Sequence, residues 1–179
     1  MVAKPQTDSA LVRLYRLMAR VREEEKAQAT GLLNSEAFEE QLCLERSRTD
    51  RSGQPFVLIV FNIQFSQSDE SMHAAERALA AALLERTRVC DAKGYYGDQI
   101  AAILPYTTKA GATNILEPLE FIFRRKLAEA GIESLPAPKL TFAVYEYPDD
   151  ERTNLGSRAL RGRHSVASSP IKMRLHHVS

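Results

Sequence analysis

Asn62, Tyr96, Gly97, Asp98 and Gln99 are the residues whose types could carry or frustrate chemistry, and the last four stand in a row. Asp98 is the only acid among them, so proton transfer or metal ligation would fall to it. Gln99 has neither charge nor a basic site at neutral pH. Asn62 sets an uncharged amide near the end of the apolar run Phe56–Ile63. Tyr96 sets a bulky ring directly before Gly97. A second pair, Arg88 and Asp91, precedes this stretch. An arginine can stack on a base and grip phosphate with its fork. The same pair can equally close a helix end as a salt bridge.

The elements that position these residues can be read from periodicity. Residues 9–29 predict a helix whose Leu11, Leu14, Met18 and Val21 fall on one stripe, with Arg13, Arg16, Arg20 and Glu23 opposite. A lone helix of that length is marginal in water and needs a partner, either its own domain or a second copy. A second helix follows, with Asn34 or Ser35 as N-cap and Phe38, Leu42 and Cys43 facing the core, ended by Gly53 to Pro55. Phe56–Ile63 is apolar on both faces, which predicts a central, covered strand. An alanine-rich helix with Leu79, Leu83 and Leu84 inward comes next. Two short strands then flank a Gly97-Asp98 hairpin turn, supported by Ile100, Ile103 and Leu104. A helix capped by Thr107 or Thr108 and closed by Gly131 contains Pro118, which predicts a kink or a split. Leu140–Tyr147 is the last strand. The order predicts an α+β fold: a ferredoxin-like βαββαβ core, helices on one face of an antiparallel sheet, with an N-terminal helical extension.

With 179 residues, 44% of them hydrophobic, the chain can build one domain with extensions. A formal charge of +1 gives no electrostatic case for nucleic acid. Cys43 and Cys90 lack metal spacing and predict two reduced, buried or half-buried thiols. No apolar run approaches the roughly 20 residues of a membrane span, and the N-terminus lacks a secretory apolar core, so a cytoplasmic location is expected. Residues 149–179 carry Arg152, Arg158, Arg161, Arg163, Lys172 and Arg174, with no acid after Glu151. They predict a mobile basic tail, able to touch an anionic membrane surface or a partner. His176-His177 is too weak a pair for a metal site.

Five segments in order resemble a GGDEF domain, the fold of diguanylate cyclases, over residues 30–148. "TGLLNSEAFEEQL" resembles the family's "TGLPNRRAFEERL", and "LIVFNIQF" its strand ending in "DIDHF". "RVCD" resembles the RxxD motif, "YGDQIAAILP" resembles "GGDEFAVLLP", and "LTFAVYEY" resembles "VTVSIGVA". The resemblance implies a βαββαβ domain over residues 30–148 behind an amphipathic helix at 1–29. In the family, two GTP molecules face each other across a dimer and metal ions assist phosphoryl transfer. Here Asn62 stands for the first-strand metal-binding aspartate, and Tyr96 for the signature's first glycine. Gly97 and Asp98 match, and Gln99 replaces the glutamate. The family's "FKxxNDxxGHxxGD" segment, which contributes guanine recognition, has no counterpart in "QFSQSDESMHAAER", and the closing "AKxxGRN" helix is absent.

These departures predict a catalytically inactive, GGDEF-like regulatory or protein-interaction module with a vestigial site at Asn62, Tyr96, Gly97, Asp98 and Gln99. No cofactor and no metal are expected. "RVCDAKGYYGDQIAAILPYTTKAGA" is also similar to degenerate GGDEF-like segments that accompany bacterial exopolysaccharide sugar transferases. That similarity implies a sugar transferase as partner and a place at the inner membrane. Self-association through Leu11, Leu14, Met18 and Val21 is the other expected contact. Two alternatives stay open: a weak diguanylate or related nucleotidyl cyclase using Asp98, and a cyclic di-GMP receptor using Arg88 and Asp91.

Overall fold

The structure, a computed structural model, describes residues 10–64, 69–132 and 138–148. Eight elements follow in order: α1 (Ala10–Thr30), α2 (Ser35–Ser52), β1 (Phe56–Gln64), α3 (Asp69–Arg86), β2 (Ala92–Tyr96), β3 (Gln99–Pro105), α4 (Lys109–Glu129) and β4 (Lys139–Tyr147). The strands form one antiparallel sheet in the order β2-β3-β1-β4. Inserting β3 between β1 and β2 makes this the split βαβ arrangement of a ferredoxin-like core.

Each face of β1 is covered, which explains its unbroken apolar run. Val57, Ile59 and Phe61 pack with Leu79 and Leu83 of α3 and with Leu116, Leu119, Phe123 and Leu127 of α4. Phe56, Leu58 and Val60 pack with Phe38 and Leu42 of α2. The helices of the βαββαβ unit thus share one face as expected, while α2 covers the other, a layer the periodicity did not reveal.

Several expectations are corrected. Cys43 and Cys90 are both exposed, as is Leu84. Neighbouring helical positions point about 100° apart, so Leu42 and Leu83 take the inward direction and turn Cys43 and Leu84 outward. Pro118 does not split α4, which runs unbroken from Lys109 to Glu129. Asn34 caps α2 by accepting from the Ala37 amide (2.9 Å), and Thr108 caps α4 through the Gly111 amide (3.3 Å). Gly131 sits at φ +72° just past α4, where a side chain would strain the backbone.

α1 meets the domain mainly through its C-terminal part, with the side chains of Arg20 and Glu23 reaching Glu36 and the Ser35 amide of α2. Ala27 is buried, Lys26 pairs with Glu76 (3.2 Å), and the Tyr95 hydroxyl reaches Thr30 (3.5 Å). Leu11, Leu14, Met18 and Val21 stay 45–66% exposed. Packing of that stripe on its own domain is therefore not what the fold provides. The tail, residues 149–179, lies outside the described residues, and with it the calls on its mobility, membrane contact and His176-His177.

Candidate functional site

The β-sheet register gathers the candidate residues into one row. Tyr96 pairs with Gln99 across the β2–β3 hairpin. The β1–β3 register, continued two residues beyond Val60–Ala101, sets Gln99 beside Asn62. Asn62 in turn pairs with Thr141 of β4. Side chains alternate along strands, so all four project from the face that α2 covers. At about 4.8 Å per strand the row spans roughly 15 Å. It lies past the end of the packed core: Asn62 and Gln99 are exposed, Tyr96 and Thr141 half-buried. Gln99 Nε2 donates to the Phe61 carbonyl (3.4 Å), and Thr141 Oγ1 donates to that of Asn62 (3.3 Å). Sequence reasoning missed Thr141. The signal was a lone hydroxyl in the apolar run "LTFAV", but only the register shows that it stands beside Asn62.

The turn beyond the row is Gly97-Asp98. Gly97 has φ +61°, and among described non-glycine residues only Tyr106 has positive φ, so the pattern is that of a type II′ hairpin turn. Asp98 sits exposed at its tip. Ser35, the first residue of α2, was offered only as a cap; its hydroxyl faces the Gly97 carbonyl at 3.5 Å. The Tyr96 ring leans on Phe38 of α2, with centroids 6.2 Å apart and planes at 57°. That contact fixes the ring against the core helix beneath.

Gly94 explains how α2 comes so close. A Cβ there would lie 2.6 Å from the Phe38 side chain and 2.9 Å from both Cβ and O of Leu33. Leu33 bridges the edge of β2, donating to the Lys93 carbonyl and accepting from the Tyr95 amide, both at 2.9 Å. The glycine is thus needed for space, and the chain before α2 is fastened onto the strand that carries the hairpin.

Arg88 and Asp91 lie at the other end of β2, roughly 16 Å from the turn at 3.3 Å per residue. Their contact is not a side-chain salt bridge. The Asp91 carboxylate is buried and accepts from the Arg88 main-chain amide (2.7 Å), while the Asp91 amide donates back to the Arg88 carbonyl (3.1 Å). Arg88 itself is exposed. The Asp91 carboxylate is thus turned onto its own turn, with one oxygen on the Arg88 amide and the other 3.9 Å from Cys90 Sγ.

No protein-family model matches the chain, and no curated protein matches it. Solved structures do. One is a DGC protein from Thermotoga maritima, 20% identical, with 68% of this chain and 86% of that one aligned at a TM-score of 0.52. Another is the diguanylate cyclase SiaD from Pseudomonas aeruginosa, in complex with its activator SiaC. It is 22% identical, aligned over 84% of this chain and 66% of that one, with a TM-score of 0.57. A third is the GGDEF domain of DgcB from Caulobacter crescentus in complex with c-di-GMP, 17% identical, aligned over 64% and 72%, with a TM-score of 0.53. This chain has the fold of a GGDEF domain.

In this GGDEF fold the four residues matched to the signature, Tyr96 to Gln99, form the β2–β3 turn and its flanking pair. The row offers two amides, a phenol and a hydroxyl, and the turn adds one carboxylate. Among the described residues no three of the types His, Cys, Asp and Glu gather as metal ligands would. That donor set does not suit Mg²⁺, which is held by carboxylate and phosphate oxygens. It suits uncharged hydrogen bonding. No helix among the described residues is long and apolar enough to cross a membrane.

Proposed function

We propose that this chain is a catalytically inactive GGDEF-fold module that works by binding a protein. The observation that carries the proposal is the row Tyr96–Gln99–Asn62–Thr141, which has no acid at any of its four positions. Transfer of a phosphoryl group needs metal ions and developing-charge stabilisation, and Asp98 alone supplies little of either. The protein-binding half of the proposal draws support from α1, whose apolar seam at Leu11, Leu14, Met18 and Val21 stands clear of the domain. Spacings of three, four and three are those of a two-heptad seam, and a second copy presents the matching one. A bacterial exopolysaccharide sugar transferase at the inner membrane is the further partner the sequence similarity implies.

Purified full-length protein incubated with GTP or ATP and Mg²⁺ or Mn²⁺ tests the first half. The expected result is no turnover. Turnover that Asp98→Ala abolishes would establish the weak cyclase instead. Sedimentation across concentration tests the seam, and pull-down against membrane glycosyltransferases tests the further partner.

A second reading, a receptor for cyclic di-GMP, is favoured by the exposed guanidinium of Arg88. Calorimetry with the dinucleotide decides it: no heat well above micromolar concentrations removes the option.

A further inference from the structure

β4 ends the sheet, and its outer edge is open. Among the described residues it pairs with β1 alone, without a bulge, from Phe56–Tyr147 to Gln64–Lys139. Every second residue of such a strand turns its amide and carbonyl away from the partner strand. No backbone bond from outside the sheet meets them among the described residues. Between Lys139 and Glu146 the strand has no charge, proline or glycine that would block pairing. Leu140, Phe142 and Val144 lie opposite Ile63, Phe61 and Ile59, on the face packed by α3 and α4. Phe61 is buried, yet Phe142 beside it is 45% exposed, because no described element flanks it on the outer side.

A segment of the chain itself matches this edge. Residues 171–176, "IKMRLH", alternate apolar and polar side chains, the period of a strand with one covered face. They lie outside the described residues. Residues 149–170 connect them to the end of β4 and can span up to about 70 Å, against about 30 Å for β4 itself. Such a tether presents the segment at an effective concentration on the order of millimolar, which a second copy matches only in millimolar solution. At ordinary protein concentrations the chain's own segment therefore reaches the edge first.

We propose that residues 171–176 dock as a fifth strand, antiparallel on the outer edge of β4. Antiparallel pairing requires only that the chain turn back after Tyr147. Placing the apolar side chains on the α4 side aligns Leu175, Met173 and Ile171 with Leu140, Phe142 and Val144, and covers Phe142. On the other face Arg174 then stands beside Thr141 and Lys172 beside Ala143, with no like charge opposite either. His176 meets Lys139 at the end of the pairing. Thr141 closes the row that begins at Tyr96, so Arg174 becomes its fifth member and its only cation.

NMR of the full chain tests this through hydrogen exchange at the amides of residues 140–145. The outward amides are expected to exchange at least about tenfold more slowly than in Met173→Pro, at every protein concentration. Met173→Pro removes an amide from the segment. Met173→Asp keeps the amide but places a charge in the apolar row, and should lose the protection as well. Ala167→Pro, in the connection, should keep it. None of the three replaces a residue of the packed core. Outward amides that exchange freely in the native chain overturn the proposal, and so does a loss as large in Ala167→Pro. Protection that survives Met173→Pro and rises with concentration assigns the edge to a second copy and overturns it too. Nuclear Overhauser contacts between Arg174 and Thr141 are the expected register; another residue of the segment beside Thr141 overturns the placement of Arg174.

Discussion

The guanidinium of Arg86 donates to the main-chain carbonyl of Asn114 at 2.9 Å. That carbonyl lies four residues before Pro118, which has no amide to give it. The last residue of α3 thereby fills the gap that proline leaves in α4, which explains why the helix continues through it. Replacing Arg86 by Ala should cost about 0.5–1.5 kcal/mol, the net worth of one hydrogen bond, since water can reach this exposed carbonyl in the donor's place. In a Pro118→Ala background, where a helical amide returns, the same replacement should cost less than half as much. Urea denaturation of the four proteins in this cycle measures both numbers.

Gly94→Ala should destabilise by about 2–3 kcal/mol, because the added carbon meets the Phe38 ring and the Leu33 backbone together. Shortening Phe38 to Leu in the same chain should recover part of the loss and no more, since the Leu33 carbonyl cannot retreat. Thermal melts of the single and double variants report it.

Burial raises the pKa of the Tyr95 phenol, with Thr30 pulling the other way through its hydrogen bond. The folded state therefore holds this proton more tightly than the unfolded chain. Its contribution to stability is whole below about pH 10, the ordinary tyrosine value, and is lost as pH rises through the elevated folded value. Denaturation midpoints from about pH 9 to about pH 11.5, roughly one unit below to one and a half above that value, should fall more steeply for the native protein than for Tyr95→Phe.

Leu14→Glu and Met18→Glu lie on an exposed stripe, so each should leave domain stability within about 0.5 kcal/mol. Each should weaken self-association at least about tenfold by placing a charge in a desolvated seam. Sedimentation velocity of both variants against the native chain is the measurement.

Much of the fold was legible because burial is written in periodicity. Phe56 to Ile63 announced a strand covered on both sides, and the cap at Asn34 and the hairpin turn at Gly97 announced their own geometry. Pro118 misled because the compensating donor, Arg86, stands 28 residues before the Asn114 carbonyl it serves and belongs to another helix. Asn62, Gln99 and Tyr96 were legible as types, but their alignment with Thr141 was not. Register depends on how β1 meets two partners at once, and residue type alone does not fix it. Arg88 and Asp91 were found as a pair, yet the bond between them runs through main chain, which no side-chain rule would indicate.

The row across the sheet sits just outside the packed interior, one residue from each strand. Val60 and Ala101, the next inward positions on two of those strands, already belong to the interior. Asn62 and Gln99, the exposed pair of the row, can therefore change their hydrogen-bonding character without disturbing the layer beneath. A lineage carrying this scaffold could abandon one ligand and acquire another by single substitutions there, while its folding stability stayed almost untouched.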